Sequence, residues 1–201
     1  MKPLDFSAYE FSPVIPFSSE YEVFDFSRGY DAERVRHSVF GVGKYNERRP
    51  GMYNTELFTA SPEGVRDIHM GVDLAAPAGT PVYAFFEGVI YMTAINPAAG
   101  DYGGTVITEH EIGDERLWVL HGHLSHASVG HRAPGTRFAK GELLGWLGES
   151  HENGGWNPHL HFQLARIRPD VCDMPGAVNA KYLDEALALY PDPRLVLGPI
   201  Y

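Results

Sequence analysis

"NPHLHFQLA", residues 157–165, places His159 and His161 two apart in an otherwise apolar stretch. In a β-strand, residues i and i+2 point to the same face. Both imidazoles therefore look one way, while Leu160 and Phe162 look the other. Such an alternation makes a poor core on the histidine side and a good site. Pro158 has no N–H to give a ladder, so it marks the start of the strand.

Upstream, the same texture recurs. "TPVYAFF" (80–86), "GVIYMTAI" (88–95), "GTVITEH" (104–110), "RLWVLHGHL" (116–124) and "ELLGWLG" (142–148) are rich in Val, Ile, Thr, Leu and aromatics. Turn clusters such as "PAGTP", "GDYGG" and "APGTRFAKGE" bound them. No helical period lies between these runs, so a parallel sheet is disfavoured. The expected fold is mainly β, a compact antiparallel sandwich or half-barrel over residues 66–168. Residues 1–65 are aromatic-rich and punctuated by Pro and Gly, an extension expected on or near the groove. One short helix is expected in it at "DAERVRHSVF" (31–40), capped by Asp31 with Val35 and Val39 on one side. Residues 169–201 carry a C-terminal helix, "VNAKYLDEALALY" (178–190). Asn179 is its N-cap, Leu183, Ala186, Leu187 and Tyr190 form its stripe, and "PDP" stops it.

Composition narrows the function. With 44% hydrophobic and 21% charged residues, the 201-residue chain suits one main globular domain. A net charge of −10 argues against nucleic acid and against anionic lipid. The single Cys172 excludes an intrachain disulfide and a thiolate-rich zinc site, and reads as packing filler. No stretch approaches the roughly 18 apolar residues of a membrane helix. The opening "MKPLDFSAYEFSPVIPF" lacks the pattern of a secretory signal. The expected compartment is therefore cytoplasmic, or periplasmic or secreted if a leader was removed.

Ten histidines are spread unevenly. "LWVLHGHLS" repeats the opening pattern, with Leu117, Val119, His121 and His123 expected on one strand face. In "RDIHMGVDL", His69 precedes Asp73 by four residues across a glycine. Imidazole nitrogen and carboxylate oxygen suit Zn²⁺, and catalytic zinc keeps three protein ligands and one open position. Histidine also titrates in the range needed to move protons beside such an ion. His121 fits the cleft wall or support behind it. His37, His110, His126, His131 and His151 lack a partner motif and read as exposed or capping residues.

The order H-x-x-x-D, H-L-S, H-L-H resembles the lysostaphin/LytM-type zinc endopeptidases. The matching text is "HMGVDLAAPAGTPVYAFFEGVI", "HGHLS", "KGELLGWLG" and "NPHLHFQL", about half of the chain. The resemblance implies that His69, Asp73 and His161 hold one Zn²⁺ and that His123 and His159 are catalytic. It implies a small antiparallel β-domain with a long groove, and hydrolysis of peptidoglycan or related peptides by a metal-activated water. Such a chain would have a peptide or peptidoglycan fragment as partner, with no nucleic acid or membrane; its oligomeric state stays open. Two features depart from the pattern: His121 two before His123, and "ENGGWNP" ahead of H-L-H, where Trp156 walls the groove or packs beneath it. Asn46 and Asn54 are candidates for an oxygen that blocks the groove, although a structural skin is the plainer expectation for this segment.

Rival readings fit less of the sequence. A cupin-like metal enzyme needs a Glu soon after its H-x-H, and neither "HGHLSHASVG" nor "HLHFQLARI" supplies one. A non-haem iron oxygenase needs a facial triad, whose usual H-x-D is missing. A non-catalytic metal-binding regulatory β-domain would keep the ligands but not need both His123 and His159.

Overall fold

The computed structural model describes residues 3–17, 20–31, 35 and 40–201. Among these, twelve strands follow the β-branched and aromatic runs. They are β1 (Glu22–Val23), β2 (Gly41–Gly43), β3 (Ile68–His69), β4 (Val72–Ala75), β5 (Pro81–Tyr83), β6 (Gly88–Asn96), β7 (Gly103–Ile112), β8 (Glu115–Leu124), β9 (Arg137–Phe138), β10 (Leu143–Trp146), β11 (His159–Ala165) and β12 (Ala177–Val178). The main sheet has eight strands in the order β1-β2-β4-β11-β8-β7-β6-β9. Its pairings are antiparallel apart from β1 with β2. Two small antiparallel sheets, β5/β10 and β3/β12, complete an open, mainly β architecture.

Alternation sorts the sheet into two faces. Val72, Leu74, Leu117, Val119, Leu160 and Phe162 share a core with Val82 of β5 and Leu144 of β10. Each such buried side chain contributes roughly 1.5–3 kcal/mol of transfer free energy. The other face carries a second cluster, including Ile107, Trp118, Leu120 and Ala165, beneath Tyr102 and Met174.

One irregularity corrects the expected faces of β8. Val106 pairs with His121, but Gly104 pairs with Leu124, so Gly122 and His123 together oppose Thr105. This is a bulge, and His123 takes the left-handed backbone it needs, at φ 62°. The parity of the strand inverts there. His121 stays on the core side, edge-on to Phe162, while His123 turns to the opposite face beside His159 and His161. The expectation that His121 and His123 share a face holds for a regular strand and fails for a bulged one.

The C-terminal helix begins as a 3₁₀ turn (Ala180–Tyr182) and continues as α1 (Leu183–Leu189). Asn179 caps it by accepting from Lys181 N at 2.9 Å. Its stripe of Leu183, Ala186, Leu187 and Tyr190 packs on Ile68, Met70 and Val178. The helix expected at 31–40 and His37 lie largely outside the described residues. His110 is another correction: it is buried, not exposed, with Nδ1 donating to Glu87 O and Nε2 accepting from Thr108 Oγ1. Cys172 is half-buried against the second cluster, and burial pushes its thiol up to about 12.

Candidate metal centre

Asp73 on β4 lies directly opposite His161 on β11, so one register fixes both side chains on the same face. His69 ends β3, and the chain reaches Asp73 through Gly71. A Cβ at Gly71 would stand 2.5 Å from His161 Cε1 and 2.9 Å from Phe162 O, which only glycine avoids. The glycine of H-M-G-V-D is therefore what lets the ring of His161 approach.

Three atoms converge as a result. His69 Nε2 is 3.0 Å from His161 Nδ1, and Asp73 Oδ1 is 3.1 and 3.2 Å from those two nitrogens. Tetrahedral zinc with bonds near 2.0–2.1 Å separates its ligand atoms by about 3.3 Å. The spacing and the donor types therefore fit one such ion.

Each histidine is held in one tautomer by an acceptor behind it. Nδ1 of His69 donates to Lys44 O (2.9 Å), and Nε2 of His161 donates to Gln163 Oε1 (2.9 Å). Gln163 is oriented in turn, because its Nε2 donates to Pro175 O. The two nitrogens that face Asp73 consequently carry lone pairs, as metal ligands must. His123 and His159 follow the same rule. Their Nδ1 atoms donate to Asn153 O (2.8 Å) and Asn157 O (2.7 Å), leaving both Nε2 atoms bare. The rings of His123 and His159 lie 4.3 Å apart, and His159 Nε2 is 3.7 Å from Asp73 Oδ1.

Electrostatics agrees with neutral rings around an anion. Burial pushes His69 down to about 4, with the Arg49 charge adding to it. Burial likewise lowers His159, and lowers His123 further with help from His159 and His161. For Asp73, burial opposes the charge, yet His69 and Arg49 overcome it and hold the carboxyl well below its usual range.

These groups line a cleft of about 330 Å³ walled by Tyr53, Tyr102 and Trp156. Trp156 is thus a wall, set by "ENGGWNP": buried Asn153 accepts from the backbone N–H of Gly155 and Trp156 through Oδ1. Neither Asn46 nor Asn54 lines this cleft; the N-terminal segment contributes Arg49, Met52, Tyr53, Leu57 and Phe58 instead. Sequence reading missed Gln163, Asn153, Tyr102 and Arg49. Gln163 was accessible by the same period-2 rule, since it lies two beyond His161 on that face.

A sequence-family model described as Peptidase family M23 matches residues 67–173. The DD-carboxypeptidase/endopeptidase Mpg of Neisseria meningitidis serogroup B is 38% identical over 100 residues, 50% of this chain and 20% of that protein. The peptidoglycan DD-endopeptidase ShyA of Vibrio cholerae is 36% identical over 102 residues, 50% of this chain and 21% of that protein. The chain thus spans about a fifth of the length of these curated relatives. Among solved structures, a catalytic-domain mutant of the prophage-encoded M23 protein EnpA from Enterococcus faecalis aligns at 27% identity and a TM-score of 0.47. That alignment covers 70% of this chain and 88% of the other.

Proposed function

As the chain belongs to peptidase family M23, we propose that it is a zinc-dependent metalloendopeptidase acting on peptide bonds of peptidoglycan or of related small peptides. The observation that carries this reading is the convergence of His69 Nε2, His161 Nδ1 and Asp73 Oδ1 at 3.0–3.2 Å, with every outer imidazole nitrogen already engaged. The names of the Neisseria and Vibrio relatives support the substrate class. On this reading the protein works where peptidoglycan lies, the exported alternative of the two compartments weighed from sequence.

His69, Asp73 and His161 hold the ion, which when bound polarises a carbonyl and lowers the pKa of water. The remaining chemistry belongs to His123 and His159. Both present a bare Nε2 to the cleft, so each must accept a proton before it can donate one. One takes the proton of the attacking water and returns it to the leaving amine. Once protonated, a ring here also donates to the oxygen that gathers charge in the tetrahedral state.

Zinc analysis combined with hydrolysis of D-Ala-crosslinked and glycyl peptides tests this. His123→Ala should keep one zinc per chain and lose about 10²–10³ in kcat. His161→Ala should lose zinc and hydrolysis together. Undiminished hydrolysis by His123→Ala, or metal-independent hydrolysis by the native protein, would overturn the assignment.

A further inference from the structure

We infer that Arg49 is a positioning residue of the metal centre: it takes one oxygen of Asp73 and so leaves the carboxylate a single oxygen to offer a metal. The inference rests on the zinc reading above and adds a residue that lies outside the segment matched by the family model. Arg49 is 1% exposed, a rare state for a guanidinium. Its Nη1 donates to Asp73 Oδ2 at 2.7 Å, while Oδ1 is the oxygen that faces His69 and His161. The two oxygens of Asp73 are therefore assigned different tasks.

The rest of the guanidinium is equally constrained. Nε donates to Glu47 Oε2 (3.1 Å), Nη1 also to Tyr53 OH (3.2 Å), and Nη2 to Lys44 O (3.2 Å). Phe26 covers one side, its ring centre 5.0 Å from Arg49 Cζ. Gly43 makes room: a Cβ there would stand 2.8 Å from Arg49 Nη2 and 2.9 Å from Asp73 Oδ2. Lys44 O, which Arg49 holds, is also the acceptor behind His69. One buried cation thus steadies the surroundings of two ligands. A buried ion pair is seldom worth its desolvation as a stability device, so a role toward the site accounts better for its presence. A carboxylate free to give both oxygens would crowd positions that water and substrate need.

The test compares two variants of the full chain that break different halves of the network. Arg49→Met frees Asp73 Oδ2, whereas Glu47→Gln loosens Arg49 but leaves its contact with Asp73. Zinc affinity is measured by chelator competition, with the visible spectrum of the Co²⁺-loaded protein as a report on coordination number. Arg49→Met should weaken zinc by about 10–100-fold and shift the Co²⁺ bands toward a higher coordination number. Glu47→Gln should stay within about threefold of native and keep the native spectrum. Equal losses in both variants would make Arg49 a structural tie only, and native affinity with a native spectrum in Arg49→Met would remove the role. Should Arg49→Met not fold, Arg49→Gln serves, since its shorter, uncharged side chain cannot hold Asp73 Oδ2 as the guanidinium does; a native Co²⁺ spectrum there would also count against the inference. If the native protein binds no zinc, it is the metal reading itself that fails.

Discussion

His123 carries a side chain where the backbone asks for glycine. Its φ of 62° costs a non-glycine residue of order 1–3 kcal/mol. The same conformation is what turns its imidazole out of the core and toward His159. Strain and placement are one fact here. His123→Gly and His123→Ala remove the same ring contacts, so they differ mainly in backbone. Urea unfolding should find the glycine variant more stable than the alanine one by about 1 kcal/mol or more, with neither active. Equal stabilities would mean that the bulge relaxes once the ring is gone. Nothing in "HGHLS" announced this, because a bulge adds no distinctive residue and alternation has no means of counting it. The proposed ligand set was legible through the resemblance, which named His69, Asp73 and His161; in the structure their donor atoms lie within 4.8 Å of one another. Arg49 was not legible. It sits 24 residues before Asp73 in a turn-rich segment, where an arginine reads as solvated.

At the scale of elements, β7 and β8 form a hairpin that buries two histidines away from the cleft. Burial drives His110 down to about 3 and His121 to about 4, each near 6.5 when unfolded. Both are neutral in the fold. The unfolded chain therefore binds more protons below pH 6.5, and the hairpin's contribution to stability is present above that value and lost as pH falls toward 4. The slope is about 1.4 kcal/mol per pH unit for each histidine. His121 has an Nε2 with no partner among the described residues, and its Nδ1 makes only a 3.3 Å bond to Val106 O, so leucine there removes an unpaired buried polar atom at the cost of that one bond. Thermal unfolding from pH 7 to 4.5 should show His121→Leu matching the native protein at pH 7 and losing less on acidification. An unchanged slope would assign the acid sensitivity elsewhere. The long strands were read correctly because period-2 patterning is local, whereas the burial of His110 depends on Phe85, in the bend after β5, and on Phe138 of β9.

For the whole molecule, the N-terminal segment is woven into the fold. β1 and β2 extend the main sheet, and Asn46 N, Glu47 O and Arg49 N pair with the stretch from Asp67 to His69. A plug would make its removal activating; this arrangement argues the reverse. A chain beginning after Tyr53 should lose several degrees in Tm and bind zinc more weakly, measured by calorimetry with and without the metal. Gain of hydrolysis on such trimming would reinstate a blocking role. Composition could not separate these outcomes, since an aromatic, proline-rich run suits a skin and a brace equally.

β3 also pairs with β12, so the strip holding His69 is gripped by residues from both ends of the sequence. His69 and His161 lie 92 residues apart. On the proposed zinc reading, a chain that has reached residue 150 during synthesis owns two of the three ligands, so metal capture would wait until translation has passed the last strand of the sheet.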